Sequence, residues 1–329
     1  MSANLQNPIF QDDDLAREWL EARVWPNGPV CPHCGSTSEH VTRLTGTKHR
    51  PGVYQCNACR EQFTVTVKTV FERSKVPLSK WLAALFLMTA SKKGVSAHQI
   101  HRSLGVSYKT AWFMMHRLRE AMRQGGLGPL GGADQIVEAD ETYFGKADKR
   151  RVSKQRGDRP YKSKRRNDRA VVALVERGGR VRSFHPAVAD GVTVAKIVNE
   201  NIAHESRLMT DESALYIKPG DNFATHETVK HSANEYVRVV TKKLNDIETI
   251  TRKVHTNTVE GYFSIFKRGM RGVYQHCAEK HLHRYLAEYD FRYNTRVALG
   301  YNDLMRAEEL AKGIVGKRLT YRRPHEARL

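Results

Sequence analysis

The chain has 329 residues, 40% of them hydrophobic, enough for two or three domains with real cores. Lys and Arg number 55 against 35 Asp and Glu, a net charge of +20, which indicates a polyanionic partner, nucleic acid first and a membrane surface second. The longest apolar run, WLAALFLM at 81–88, is too short to span a bilayer, and the N-terminus lacks the basic and apolar pattern of a signal peptide, so a cytoplasmic protein is expected.

The segment DDDLAREWLEAR at 12–23 reads as a short helix with an acidic cap. Two C-x-x-C units follow, Cys31 with Cys34 and Cys56 with Cys59, 21 residues apart. Each pair turns in a knuckle that aims both sulfurs at one tetrahedral ion, so a structural Zn²⁺ site is expected. Redox chemistry by either pair is the alternative, which the doubled motif disfavours. EHVTRLTG and GVYQC between the pairs read as short strands, and EQFTVTVKTVF after them alternates as a third. The four cysteines complete a coordination shell, leaving His33 beside the ion or facing DNA. Cys277 stands apart and reads as a small buried apolar residue.

After Pro77 the pattern is helical, with Ser79 as the expected cap. Residues 94–122 have the rhythm of a helix-turn-helix: a first helix over 96–104 ending at Gly105, and a second after Ser107. Ala111, Met114, Met115 and Leu118 form the core face of the second helix, and Tyr108, Lys109 and Thr110 are exposed on its first turn. Tyr108, Lys109 and Arg117 are the residues expected nearest DNA, and an ordinary helical hairpin is the alternative. The Gly-rich stretch 125–135 reads as a hinge.

Beyond the hinge, QIVEADETYFG, RAVVALVERGG and RVRSFHPAVA read as strands, the last two joined by a Gly178-Gly179 turn. TVAKIVNENI is a helix, SRLMTDES a buried strand ending in acids, and THETVKHSANEYVR a strand with a trailing loop. A mixed sheet flanked by helices is expected. In VHTNTVEGYFSIFKRG, at 254–269, Val259, Phe263 and Phe266 mark a helix whose one acid is Glu260. Asn257 and Glu260 share a face, and Lys267 lies two turns beyond on nearly the same side.

On the first strand Glu138, Asp140 and Thr142 share one face, and Glu141 points to the other. A carboxylate in the apolar setting of Asp140 is costly unless it is paired or binds a cation. Asp211 ends an apolar strand. With Glu260 these make three carboxylates in the order strand, strand, helix, the oxygen donors that Mg²⁺ or Mn²⁺ takes while keeping positions open for water and phosphate.

These residues resemble the acidic triad and trailing basic residue of DDE transposases with a ribonuclease-H-like fold. Asp140 lies in EADETYFG, Asp211 in MTDES, and Glu260 in HTNTVEGYFSIFKRG with Lys267 seven residues on. The run from Val254 onward, with HETVKHSANEYVR before it, is similar to bacterial insertion-sequence transposases that carry a zinc ribbon before an ISXO-type domain. The likeness covers roughly residues 25–300. It implies a multidomain α+β/α/β protein: an N-terminal helix (1–25), a zinc ribbon (26–75), a helix-turn-helix domain (76–125), a ribonuclease-H-like catalytic domain (130–300) and a C-terminal tail (301–329). It further implies binding of terminal inverted repeats in double-stranded DNA, 3′-end cleavage and strand transfer to target DNA, by a dimer or larger assembly associated with the nucleoid. Asp140 would bridge two Mg²⁺ or Mn²⁺ ions, Asp211 would ligate one and Glu260 the other, and Lys267 would hold a phosphate. Asn257 stands where relatives carry an Asn of the motif, so it competes with Glu260 for the third ligand. A charged oxygen binds these ions better, which favours Glu260.

Residues 145–169 hold twelve Lys or Arg and three Asp. This basic insertion, with Arg165 and Arg166, reads as a solvated loop that contacts the DNA backbone, as does Arg268 beside Lys267. His226, His231 and His255 are expected in surface or hydrogen-bonding roles, His255 alternatively near the scissile phosphate. A DNA-binding regulator or domesticated inactive relative, and a structure-specific nuclease of similar fold, are the competing readings.

Overall fold

The structure is a computed structural model that describes residues 6–145, 151–153, 159–161, 169–243 and 249–320. Arg165 and Arg166 lie outside the described residues, as does most of the basic insertion. The chain forms two compact units, one of Met1–Gly125, Gly272–Gln275 and Ala287–Leu329, the other of Gly126–Arg271 and His276–Leu286.

The first unit begins with α1 (Asp13–Val24), where Asp12 accepts from the N–H groups of Asp14 and Leu15 at 2.8 and 2.9 Å, and Asp13 and Asp14 complement the helix dipole. Three antiparallel strands follow, β1 (Val41–Arg43), β2 (Tyr54–Cys56) and β3 (Gln62–Phe63), in the order β1-β2-β3. The third is shorter than its alternation suggests. The Val67 N–H bonds to Thr64 O, the Thr69 hydroxyl donates to Thr66 O at 2.7 Å, and Lys68 takes a left-handed φ of 53°, so the chain turns and sends Val65, Val70 and Phe71 into the helical core.

Helix α2 (Leu78–Ala90) buries Trp81, Leu82, Leu85 and Met88. Ser79 is not its cap. The helix starts from Pro77, and Ser79 is buried with its N–H donating to Asp13 Oδ1 at 2.9 Å, so the orphan donor is met by α1. Next come α3 (Ala97–Leu104), capped by Ser96, and α4 (Tyr108–Met122), capped by Ser107, with Gly105 between them in the left-handed conformation at φ 59°. Ala111, Met114, Met115 and Leu118 are buried, as the spacing predicts.

In the second unit, β4 (Ile136–Phe144) is followed by the paired β5 (Arg151–Ser153) and β6 (Arg159–Tyr161), then β7 (Arg169–Glu176) and β8 (Val181–Phe184). Helix α5 (Gly191–Asn201), capped by Asp190, leads to β9 (Arg207–Thr210), the short α6 (Ile217–Gly220) and β10 (Thr225–Thr228). An antiparallel pair that the sequence reading did not separate out, β11 (Arg238–Lys243) with β12 (Thr249–Val254), precedes α7 (Asn257–Gly269). Among the described residues the main sheet has the order β10-β9-β4-β7-β8. β4 pairs parallel with β9 and antiparallel with β7, which makes the sheet mixed, as expected. Val137, Ala139, Val172 and Leu174 pack against Val194 and Val198 of α5 on one face, and α7 covers β4 and β7 from the other.

Helix α8 (Leu282–Asn294) begins in the second unit and ends in the first. The expected tail is partly a helix: α9 (Asp303–Lys312), capped by Asn302, buries Ala307, Leu310 and Ala311 against α1 and α2. Cys277 is half-buried rather than buried, its thiol donating to the Ala278 carbonyl at 3.3 Å.

Candidate active site and metal centres

Glu138 of β4 and Met209 of β9 are the last partners in the parallel ladder; Asp140 lies two residues further along β4, and Asp211 directly follows the end of β9 at Thr210. Glu260 sits in the first turn of α7, the helix packed on β4. Burial pushes the Asp140 carboxyl up to about 8; the charges of Asp211 and Glu141 add to this and Glu260 adds less, while the Glu141 N–H donating to Oδ1 at 2.7 Å opposes it. Among the described residues the cysteines alone bring ligand atoms close enough together for one ion, while Asp211, Glu141 and Glu260 all act on Asp140. That is the environment a hard divalent cation relieves, and the all-oxygen donor set fits Mg²⁺ or Mn²⁺.

Asp211 Oδ1 accepts the Ser213 N–H at 3.0 Å, which fixes the turn after β9. Glu260 Oε1 accepts the Thr256 hydroxyl at 3.3 Å and lies 3.4 Å from Nε2 of His231. Glu141 points to the opposite face, as the strand period requires, and accepts the Ser213 hydroxyl at 3.4 Å. Asn257, the first residue of α7, is exposed; Lys267 is half-buried and Arg268 exposed in its last turn.

Glu138 shares a strand face with Asp140 yet is fully buried and saturated with donors. Oε1 accepts Arg177 Nε at 2.9 Å and Nη2 at 2.7 Å and the Thr258 hydroxyl at 2.8 Å; Oε2 accepts the N–H groups of Thr258 and Val259 at 2.8 and 3.1 Å. His255 Nδ1 lies 3.3 Å from the same Oε1, so His255 takes a hydrogen-bonding position in this cluster. Burial and the Arg177 charge lower its pKa. His226 bonds Thr210 Oγ1 through Nε2 at 2.9 Å. Sequence reasoning put Glu138 on the right face but gave neither it nor Arg177 a role. The available signal was a second acid two residues before Asp140 in an apolar strand.

In the first unit the four cysteine sulfurs lie within 4.8 Å of one another, with Cys31 Sγ 3.7 Å from Cys59 Sγ and Cys34 Sγ 3.6 Å from Cys56 Sγ. A tetrahedron with Zn–S bonds of about 2.3 Å separates its sulfurs by about 3.8 Å, so the donor set fits zinc. Hydrogen bonds from the Ser36 side chain and backbone bring the Cys34 thiol down to about 6. Trp25 packs edge-on against Tyr54 and Phe63 at 5.4 and 5.8 Å beneath the knuckles, and His33 is exposed outside them.

Tyr108 and Lys109 are exposed at the start of α4, with Tyr108 stacked on His98 at 4.3 Å. Arg117 corrects the expectation. It is buried, with Nε donating to Leu319 O and Nη1 to Glu72 O, both at 3.1 Å, because its position borders the apolar stripe of α4. Its guanidinium is committed to the fold and not to DNA.

A mixed sheet flanked by helices, in a chain with a Cys₄ ribbon, is consistent with a ribonuclease-H-like transposase fold. The chain belongs to the ISXO2-like transposase family, whose domain model matches residues 129–294; a transposase zinc-ribbon domain matches residues 11–62. It is 28% identical over 279 residues, 80% of this chain and 86% of the relative, to a Halobacterium salinarum protein described as "Uncharacterized protein in transposable element ISH50". Among the described residues no helix is long and apolar enough to cross a membrane.

Proposed function

We propose that this insertion-sequence transposase binds the terminal inverted repeats of its element, cleaves the 3′ ends and joins them to target DNA, with Asp140, Asp211 and Glu260 holding two divalent ions. The observation that carries this reading is the buried Asp140 carboxyl, pushed up to about 8 by burial and by the charges of Asp211, Glu141 and, less, Glu260. Bound there, Mg²⁺ or Mn²⁺ supplies Lewis-acid activation of the attacking oxygen and neutralises charge at the phosphodiester. The residues do the rest. Asp140, Asp211 and Glu260 would hold the ions, and Lys267, two turns along α7, would hold a DNA phosphate near the cleaved bond. Asn257 supports Glu260 or shares its place.

The four cysteines hold a structural Zn²⁺ that folds the ribbon. Tyr108 and Lys109 at the start of α4, the basic insertion with Arg165 and Arg166, and Arg268 supply backbone contacts, consistent with the net charge of +20. Two ends must meet for strand transfer, so a dimer or larger assembly forms on DNA in the cytoplasm, at the nucleoid.

The test is Asp140→Ala. It is expected to abolish Mg²⁺- or Mn²⁺-dependent cutting of end DNA while leaving the gel shift intact. Retained cutting removes Asp140 from the mechanism. A wild-type gel shift with no metal-dependent cutting favours a regulator or inactive relative.

A further inference from the structure

Helix α7 carries Glu260 but does not cap itself. Thr256, its cap residue, makes no side-chain cap bond, and the first N–H groups of the helix turn instead to Glu138, 120 residues upstream. A carboxylate at a helix N-terminus both fills orphan donors and meets the positive end of the dipole. Its charge is in turn met by Arg177, just past the end of β7. Arg177 also donates to the carbonyls of Lys253 and His255 at 3.0 and 3.1 Å, and its Nη2 contacts Met209 Sδ at 3.1 Å.

The elements that carry or lead into the acids therefore meet at one ion pair, with Glu138 buried and Arg177 24% exposed, and they meet it at one offset. Glu138 is two residues before Asp140, Met209 two before Asp211, and Thr258 two before Glu260. In β4, residues two apart stand on the same face about 7 Å apart along the strand, so fixing Glu138 fixes Asp140, and Asp211 directly follows the end of the strand that Met209 anchors. Glu138 is not a fourth metal ligand, because both of its oxygens are already filled by donors.

We propose that the Glu138–Arg177 pair is a positioning device that sets the separation of Asp140, Asp211 and Glu260 and so the affinity of this site for divalent cations. This rests on the reading of those three acids as the ion-binding set. Groups that orient metal ligands from behind typically govern affinity or activity by about 10–100-fold.

The experiment measures Mn²⁺ binding to the full chain by electron paramagnetic resonance, with end cleavage alongside, for wild type, Asp140→Ala, Glu138→Gln and Thr258→Val. Glutamine keeps the shape of Glu138 but turns an N–H₂ toward donors that need an acceptor. Glu138→Gln is expected to raise the Mn²⁺ concentration for half-saturation about tenfold and to lower kcat while leaving the KM for end DNA unchanged. Thr258→Val removes one hydrogen bond to Glu138 and leaves the backbone caps, so a rise of about threefold is expected, and this variant decides the matter if Glu138→Gln fails to fold. If Asp140→Ala leaves Mn²⁺ binding untouched, the ion-binding set itself is wrong. If Asp140→Ala abolishes the signal but folded Glu138→Gln and Thr258→Val bind Mn²⁺ and cleave as wild type does, the positioning role alone is overturned.

Discussion

Arg119 in α4 donates through Nε to the carboxylate of Glu288 in α8 at 2.6 Å across 169 residues of sequence, and the two side chains are 1% and 0% exposed. Arg292 and the Tyr274 hydroxyl bond the same carboxylate. Removing one partner of a buried pair strands the other's charge, at about 3–5 kcal/mol. Glu288→Ala is expected to lose stability of that order in urea unfolding of the full chain. A loss under about 1 kcal/mol, the scale of a surface pair, would show that this contact does not hold α8 to α4.

The same pair sets a dependence on pH. Burial raises the Glu288 carboxyl, but the charges of Arg292 and Arg119 outweigh it and hold the group below its usual 4.5. A depressed folded pKa contributes stability that is full above the unfolded value and lost as pH falls through the folded one. The Tm of the wild type should therefore drop more between about pH 5 and about pH 3 than that of Glu288→Gln, which has no proton to take up. Parallel acid profiles for the two proteins would contradict this.

Chelation, or Cys31→Ser, is expected to unfold the ribbon and weaken end binding about tenfold or more. Trp25, packed on Tyr54 and Phe63, reports the first effect as a red shift in fluorescence. Unchanged emission with unchanged affinity would count against a structural ion.

At the helix-turn-helix, Lys109→Ala should weaken end binding and lower the slope of log K against log salt by about 1. Arg117→Ala should leave that slope alone and cost about 1–3 kcal/mol of stability, since two half-buried carbonyls lose their donor. A salt slope that responds to Arg117 and not to Lys109 would reverse the assignment.

Between the two candidates for the third ligand, Glu260→Gln is expected to lower Mn²⁺-dependent cleavage roughly a hundredfold, and Asn257→Ala less than about tenfold. The carboxylate of Glu260 acts on Asp140, and Asn257 is exposed at the first position of α7. The opposite ranking in single-turnover cleavage would give the ligand to Asn257.

What could be read along the chain is what local chemistry decides. Gly105 ends α3 in the left-handed conformation because a helix end needs only its own last turn. The cysteine pairs converge because each knuckle is built from four consecutive residues, and the face shared by Glu138 and Asp140 follows from the strand period. Ser79 failed as a cap, and the alternation after Phe63 failed as a strand, where a distant carboxylate and a run of turns took over the backbone.

The sequence by itself picked out most of the elements and the ribbon's four cysteines, since periodicity, capping and residue chemistry act within a few residues. Only the tertiary structure showed that Glu138, on the same strand face as Asp140, binds the start of α7, since that depends on neighbours brought from far along the chain. It also buried Arg117 and sent α9 back onto α1 and α2. Those outcomes depend on desolvation and on partners supplied by other elements, which no local pattern carries.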